Sequence, residues 1–475
     1  MNPKKKIDIV IIGAGISGLT CARELSKHSN EINLTILEST DRIGGRVKSI
    51  ISKDGIALEL GAEHIHGPKG NPVFNFAYEK GIVRDVSSRQ GAFKDIRVLH
   101  CFHKDVLSRC TGDELYSALA EGTHLVYNFH DTIEEIKNEN ELDEYKSVGE
   151  VFSKVAQEKL VKFKDNVGSS KAFKSVLTSR MNAEAQHNGC ENLFDLDLKL
   201  YTMFEHLEGD IQFKLPNGFS EIADSVAVDI NPKCFRFNHE VIKIEHSQSL
   251  LKVTCANGEV FHAHNVVVTV SVEVLKRFVK HNVFSPSLPS KKVNSIQKLS
   301  LGQLEKIYFR FSNPLPKEVN LILFYPSTDK DVDKYSKVLG LQRFRESNWW
   351  MLWLTSHLLN KLKNSDPVSF LSELLTKLKH RYPSLPSTDF EHESVLVSDW
   401  TRNSNFGGTW GVLKTGTTER DVRNLAEPIF YNHLEYPTSL TFAGEMTHCS
   451  FYATTHAAFL SGVREAKFIV SRYNL

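Results

Sequence analysis

The chain has 475 residues, of which 41% are hydrophobic and 24% are charged, so it is long enough for roughly two to three domains. Lysine and arginine number 58 and acidic residues 57, and this balance argues against a nucleic-acid partner, which would favour a basic excess. The seven cysteines are scattered without a C-x-x-C pair and no apolar run reaches about 18 residues, so no disulfide scaffold, metal site or membrane partner is predicted.

The first forty residues predict a dinucleotide-binding unit. Ile7–Ile12 is a short apolar run typical of a buried strand, and Gly13, Gly15 and Gly18 follow it in G-x-G-x-x-G spacing before an amphipathic helix. These glycines permit a tight turn, the approach of a pyrophosphate to the backbone, and close helix packing. A second apolar strand ends at Glu38, where an acid can bind ribose hydroxyls.

The segment after the second strand distinguishes between dinucleotides. From Glu38 to Arg46 the sequence reads E-x-x-x-R-x-G-G-R, an extension that NAD-dependent dehydrogenases do not need. It resembles the second FAD fingerprint of the flavin amine oxidases and related flavoproteins. The resemblance implies that the glycines wrap the FAD pyrophosphate and that Arg46 offsets its charge.

Residues 59–68 resemble the G-A-x-W-I-H-G-P segment of the same family. The resemblance implies that Gly61 and Ala62 contact FAD and that His66 is a catalytic residue facing the substrate tunnel. His64 stands where the family has tryptophan, so an altered tunnel wall is expected.

Two acidic residues in the middle of the chain align with the tunnel region of the family. Glu184 matches a tunnel carboxylate, and Asp195 follows near the expected spacing. A carboxylate there would attract a polycation and set its register. Val241, in the predicted strand EVIKIEH, falls where the family backbone contacts adenine.

Lys306 lies in the alternating segment LEKIYFRF and matches a family lysine that holds a water against flavin N5. A lysine between apolar positions is costly unless its charge is satisfied, so a catalytic role is expected. Glu305 replaces a family asparagine beside it.

A tryptophan-rich segment resembles the family pattern W-x-x-x-x-x-x-x-G-x-Y. Trp400 would pack near the flavin, and Trp410 takes the tyrosine position beside the substrate amine. Monoamine oxidases carry a flavin-linked cysteine just before that aromatic residue. Here the position is Thr409, so non-covalent FAD is predicted.

The carboxyl-terminal stretch FYATTHAAFLSGVREA is similar to a stretch of animal polyamine oxidases. Just before it, Gly444 and Glu445 resemble the family's last FAD-binding strand, near the ribityl or phosphate region. Tyr452, Thr454 and Thr455 would lie along the flavin ring and beside the substrate. Alanine replaces a family glycine two residues after Thr455, so a crowded helix start is expected.

These motifs predict an α/β fold with the two-domain architecture of the monoamine oxidases. A Rossmann-like FAD-binding domain assembled from discontinuous segments is joined to an α+β substrate domain of a sheet and helices. The FAD-binding domain is predicted to comprise residues 1–75, 212–300 and 425–475, and the substrate-binding domain residues 76–211 and 301–424.

The predicted activity is FAD-dependent oxidation of polyamines at a secondary amine, with spermine or N1-acetylated spermine or spermidine as substrate. Oxygen would be the acceptor, and an aminoaldehyde, a shorter amine and hydrogen peroxide the products. A monomer in the cytoplasm is expected. A peroxisome stays an alternative, although the final Arg-Tyr-Asn-Leu lacks the small-basic-Leu pattern.

Three other functions stay open. A histone-lysine-demethylase-like enzyme would be expected to carry an extra amino-terminal domain and a long helical insertion. An amino-acid oxidase would need an arginine facing the substrate carboxylate. A non-catalytic flavin-bound scaffold would hold a flavin that no amine reduces.

Overall fold

The structure is a computed structural model that describes residues 6–83, 97–139, 141–209, 213–247, 250–328, 334–431 and 437–475. Its strands in chain order are β1 Ile7–Ile12, β2 Ile32–Leu37, β3 Ser49–Ile51, β4 Ala57–Glu59, β5 Arg97–Phe102, β6 Phe235–Arg236, β7 Val241–Ser247, β8 Leu250–Cys255, β9 Val260–Ala263, β10 Asn265–Val268, β11 Phe284–Ser285, β12 Ser300–Leu301, β13 Leu304–Arg310, β14 Val319–Tyr325, β15 Gly340–Arg343, β16 Trp349–Thr355, β17 Leu396–Val397, β18 Gly411–Val412, β19 Ile429–Tyr431 and β20 Thr438–Phe442.

Helices cover the faces of the sheets. In chain order they are α1 Ile16–Ser26, α2 Pro72–Glu79, α3 Lys104–Leu107, α4 Gly112–Asn138, α5 Val148–Leu160, α6 Val167–His187, α7 Leu198–Thr202, α8 Ser220–Val228, α9 Val272–Lys280, α10 Ser290–Lys298, α11 Ser356–Lys363, α12 Pro367–Arg381, α13 Glu419–Ala426 and α14 Thr455–Tyr473.

The first sheet has the strand order β19-β20-β10-β1-β2-β6 and joins three distant parts of the chain. β1 pairs in parallel with β2 and β10, and β10 with β20, whereas β19 is antiparallel. The last four residues of β1 are buried, as predicted for a strand covered on both faces. Helices α1 and α14 pack closely beside this sheet, because Gly462 would place an added Cβ only 2.3 Å from the Ser17 carbonyl.

A second six-stranded sheet has the order β17-β13-β16-β15-β14-β5, and a third has the order β11-β7-β8-β9. β13 pairs antiparallel with β16, which sets Lys306 opposite Trp353. The α/β fold class predicted from the sequence is confirmed. The predicted domain boundaries remain a proposal.

Glu59 ties β4 to two other parts of the chain. Its side chain is 1% exposed and accepts hydrogen bonds from the Phe219 N–H at 2.8 Å and the Ser49 hydroxyl at 2.6 Å. Its carbonyl accepts from the Tyr308 hydroxyl at 2.8 Å and from Lys306 Nζ at 2.9 Å. Burial raises the pKa of Glu59 to about 7, because the ionised form loses its hydration.

The raised pKa of Glu59 predicts a pH-dependent stability. The folded chain holds this proton more tightly than the unfolded chain, so the contribution is complete below the unfolded pKa and is lost as pH rises through about 7. In urea unfolding from pH 5 to 8.5, the parent should lose on the order of 3 kcal/mol relative to Glu59→Gln. Equal pH dependence of the two proteins would contradict this prediction, and Glu79→Gln, at an exposed position of α2, is the control.

Candidate active site

The glycine turn between β1 and α1 has two packed positions and one open position. Gly13 has φ +105°, and an added Cβ would lie 2.6 Å from Thr269 Oγ1. At Gly18 an added Cβ would lie 2.0 Å from the Gly13 carbonyl oxygen. At Gly15 it would meet only Gly45 Cα, at 3.8 Å. The backbone at Gly15 is therefore free to be approached by a ligand.

A cavity of about 280 Å³ adjoins this turn. Its lining includes Gly13, Leu37, Ser39, Val241 and Arg277. Val241 begins β7, so the structure brings the predicted adenine-contacting residue to the end of the first two strands. This place at the carboxyl edge of a parallel sheet is where open α/β sheets bind ligands.

Glu38 lies between two residues that line this cavity and is 7% exposed. Its Oε2 accepts from the Ala14 N–H at 2.8 Å. Its Oε1 accepts from the Thr40 N–H at 2.9 Å and the Thr40 hydroxyl at 2.8 Å. Glu38 thus fixes the glycine turn to the segment that follows β2, and its predicted contact with a ribose stays a prediction.

Arg46 and Glu445 meet at a second, smaller cavity that both residues line. Arg46 Nη1 donates to Glu445 Oε1 at 2.7 Å and also to the Thr409 carbonyl. Glu445 Oε2 is buried and has no hydrogen-bond partner among the described residues. Gly444 has φ +139° and no described atom within 4 Å of an added Cβ. An open glycine beside an unpaired carboxylate oxygen is expected where a polar ligand binds.

Gly61, Ala62 and Trp400 hold the segment after β4 in place. An added Cβ at Gly61 would lie 1.9 Å from the Arg46 carbonyl oxygen and 3.2 Å from the Trp400 ring. The Ala62 N–H donates to the same carbonyl at 3.2 Å, and Trp400 Nε1 donates to the Leu60 carbonyl at 2.7 Å. The Arg46 carbonyl and the Trp400 ring leave no room for a side chain at Gly61.

Taken together, these residues fit FAD. The open Gly15 and the free N–H groups at the start of α1 suit a pyrophosphate, and Val241 lines the neighbouring cavity. The cavity at Arg46 and Glu445 lies beyond the turn, and its charged lining suits a polar chain such as a ribityl group.

Lys306 is buried, with 2% exposure, and its ammonium group has three protein acceptors. Nζ donates to the Glu59 carbonyl at 2.9 Å, the Gly61 carbonyl at 3.0 Å and Glu63 Oε2 at 2.9 Å. It also lies 4.9 Å from the centre of the Trp353 ring. An ammonium has three donors, so a water held towards a flavin would have to share or replace one of these acceptors.

Two tryptophan rings lead from Lys306 towards the helix that carries Glu184. Trp353 packs edge-on against Trp410 with ring centres 5.7 Å apart, and Trp410 Nε1 lies 2.7 Å from the Cβ position of Gly189. Gly189 follows the end of α6, which carries Glu184. Glu184 Oε1 accepts from the Tyr201 hydroxyl at 3.3 Å, and burial, together with this carboxylate, raises the pKa of Tyr201 well above its usual range.

The start of α14 is ordered by Thr454. Its Oγ accepts from the Ala457 N–H at 3.1 Å and donates to the Phe451 carbonyl at 2.6 Å. Tyr452 is buried and Thr455 is the first helical residue. Ala457, where the family has glycine, is fully buried and its N–H is capped by Thr454, so the expected crowding does not prevent the helix from starting.

Two predicted site residues are exposed to solvent. His66 is exposed, with its ring 6.1 Å from that of His64. Asp195 is also exposed, at the end of a 3-10 turn. The half-buried Asp197 is close enough to Tyr452 to raise the pKa of that phenol, although burial is the larger cause.

Sequence reasoning missed Glu63, Trp353 and Tyr201. A signal existed for Glu63, since an acid stands between alanine and histidine in a segment that otherwise follows the family pattern. Trp353 and Tyr201 had none, because their neighbours come from distant parts of the chain.

The fold and the two cavities define a dinucleotide-binding protein of the flavoprotein class. Residues 16–470 match the family model described as flavin containing amine oxidoreductase, and the chain belongs to this family. Among the described residues no helix is long and apolar enough to cross a bilayer. The same residues contain no group of three histidine, cysteine or acidic side chains that could hold a metal.

The chain is similar over nearly its whole length to characterised relatives. A bovine protein named peroxisomal N(1)-acetyl-spermine/spermidine oxidase is 27% identical, with 98% of this chain and 95% of the relative covered. The human protein of the same name is 28% identical, with 98% and 94% covered. Probable polyamine oxidase 5 of Arabidopsis thaliana is 24% identical, with 99% of both chains covered.

Substitution by alanine is predicted to have different outcomes at the open Gly15 and at the packed Gly18. Gly15→Ala should fold, because its φ of −73° suits alanine and its Cβ meets only Gly45 Cα, but it should lose most of its flavin. Gly18→Ala should be destabilised without any cofactor, because its Cβ would clash with a backbone carbonyl. Thermal melting of the apoproteins and flavin content per chain measure the two effects. Full flavin content in Gly15→Ala would contradict the placement of the pyrophosphate.

Proposed function

We propose that the protein oxidises polyamines at a secondary amine, using non-covalently bound FAD and oxygen. The names of the bovine, human and Arabidopsis relatives support a polyamine substrate, and their coverage supports a shared architecture. Spermine and its N1-acetylated forms are the proposed substrates, with an aminoaldehyde and a shorter amine as products.

One observation carries this proposal: two tryptophan rings lead from Lys306 towards α6, the helix that carries the carboxylate of Glu184. Trp353 lies against Lys306 and packs on Trp410, and Trp410 lies beside Gly189, just after the helix that carries Glu184. An extended substrate with several amines suits this order, since its reacting amine can lie against an aromatic face while another ammonium group meets the carboxylate.

Bound FAD would supply the hydride acceptor, and its reoxidation by oxygen would give hydrogen peroxide. The residues of this chain would bind and orient the reactants. Gly15 and the α1 N-terminus would bind the pyrophosphate, Glu38 the ribose, and Arg46 would offset the phosphate charge. Lys306 would act beside the flavin ring, and Trp410 would hold the amine.

The Thr409 side chain supports non-covalent binding. Its hydroxyl donates to the Gly302 carbonyl at 3.0 Å, and threonine has no thiol that could form a thioether with the flavin. Thr409 also lies beside Arg46, so it belongs to the proposed cofactor site.

The domain assignment, location and assembly complete the proposal. The cofactor domain would comprise residues 1–75, 212–300 and 425–475, and the remaining segments would form the substrate domain. We propose a monomer in the cytoplasm, with a peroxisomal location as the alternative that the printed names of both mammalian relatives favour.

Anaerobic reduction of the bound flavin tests the function. Purified protein should be yellow, should release free FAD on acid precipitation, and should bleach when spermine or N1-acetylspermine is added without oxygen. Flavin remaining in the pellet would contradict non-covalent binding. Flavin that no polyamine reduces would contradict the activity. Methylated lysine peptides and amino acids then test the demethylase-like and amino-acid-oxidase alternatives. A flavin that none of these compounds reduces would indicate a non-catalytic scaffold.

Glu184 is expected to act on substrate affinity. Glu184→Gln should raise the apparent KM for spermine on the order of tenfold, because a charge-assisted contact with an ammonium group is lost. The increase should be smaller for N1-acetylspermine, since acetylation removes one positive end. Glu158→Gln, at an exposed position of α5, should leave both KM values unchanged. Equal increases for both substrates would refute the role of Glu184.

A further inference from the structure

The Glu63 carboxylate lies between two buried lysines. Its Oε2 is 2.9 Å from Lys306 Nζ, and its Oε1 is 2.6 Å from Lys214 Nζ. The three side chains are 8%, 2% and 9% exposed, in the order Glu63, Lys306 and Lys214. The proposed function assigns no role to Glu63 or to Lys214.

Such a cluster is expensive to bury unless its charges compensate one another. Burial alone would raise the pKa of Glu63, but the two neighbouring ammonium groups hold it well below its usual range. The adjacent His64 adds no positive charge at neutral pH, because burial lowers its pKa to about 3. The carboxylate is therefore the anion that both lysines share.

The three acceptors of Lys306 differ in how freely they can move. The carbonyls of Glu59 and Gly61 belong to the backbone, at the end of β4 and in the turn packed against Arg46. Among the described residues, Glu63 Oε2 is the one side-chain acceptor of the Lys306 ammonium group. Its position therefore decides where the third N–H of Lys306 points.

Lys214 reaches Glu63 through a backbone bridge. The Ile65 N–H donates to the Phe213 carbonyl at 2.9 Å, and this antiparallel bridge brings the Lys214 backbone close to that of Glu63. Lys214 also lies 5.2 Å from the centre of the Phe344 ring. The second lysine is thus placed by the fold and does not reach the cluster from the surface.

We propose that Glu63, held by Lys214, is a positioning residue for Lys306. It directs the ammonium group towards one set of acceptors and supplies a carboxylate opposite the buried cation. This inference rests on the proposed function, in which Lys306 acts beside the bound flavin.

Several other titratable or charged groups face this cluster from the elements packed around it. They are Glu59 of β4, His64 and His66 of the segment after β4, Tyr308 of β13, and Arg345, which lies 3.6 Å from Glu59. Of the two acidic residues here, Glu59 contacts Lys306 through its backbone carbonyl, whereas the carboxylate of Glu63 pairs with both lysines.

The pH dependence of flavin oxidation tests the inference. Holoenzyme is reduced with dithionite and mixed with oxygen across a pH series, and reduction by N1-acetylspermine is followed separately. Lys306→Met should slow at least one half-reaction about 10²–10⁴-fold. Glu63→Gln should shift the pH profile of that half-reaction about 1–3 units to lower pH, because Lys306 loses its counter-charge. A merely structural role would change flavin content or melting but would not move the profile.

Two further variants keep the experiment decisive. Glu63→Gln leaves two buried ammonium groups without an anion, which should destabilise the fold. Glu63→Gln with Lys214→Met removes one cation as well and returns the cluster to the net +1 of the parent. The double variant should shift in the same direction but by less, because the repulsion from Lys214 is removed together with the attraction to Glu63. Glu121 also bridges two lysines, Lys159 at 3.1 Å and Lys162 at 3.0 Å, outside the site, so Glu121→Gln should keep the parent profile.

A parent-like profile in both Glu63 variants, with Lys306→Met slow, would overturn the inference and leave the proposed function intact. Parent-like rates in Lys306→Met would also overturn it. If no amine reduces the flavin, the proposed function fails, and the reoxidation arm still decides the role of Glu63.

Discussion

A lysine ammonium buried between two sheets is the constraint on which this site depends. Lys306 projects from β13 of the second sheet and donates to the carbonyls of Glu59, at the end of β4, and Gly61, so one charged group joins that sheet to the turn after β4. A buried ammonium that lost these acceptors would carry a large desolvation penalty. This ammonium group is contacted by the turn at Gly61, by the Glu63 carboxylate and by the Trp353 ring.

The sequence predicted most accurately the features that are encoded locally. The strand bounds of β1 and the spacing of Gly13, Gly15 and Gly18 follow from hydrophobic runs and from glycine, whose effects extend over a few residues. The resemblance to flavin amine oxidases also identified Lys306 as a buried residue of interest. These features needed no knowledge of which distant segments meet.

Long-range contacts were out of reach of the same reasoning. Glu63 and Lys306 are 243 residues apart, and nothing local to either residue names its partner. The exposure of His66 and Asp195 likewise depends on how neighbouring segments cover them. A motif aligns a residue type with a position, whereas the direction of its side chain depends on the packing of the whole fold.

The contact between Arg46 and Glu445 has a consequence for the order of assembly in the cell. The two residues are 399 positions apart, yet both line the second cavity. At about 5–20 residues per second, a ribosome needs roughly 20–80 s to travel from one to the other. The side of the cavity that Arg46 lines is therefore made long before Glu445 exists, and the cavity is complete only after Glu445 has been translated. A nascent chain that stops before Glu445 accordingly lacks one wall of this cavity, and Arg46 lacks its carboxylate partner.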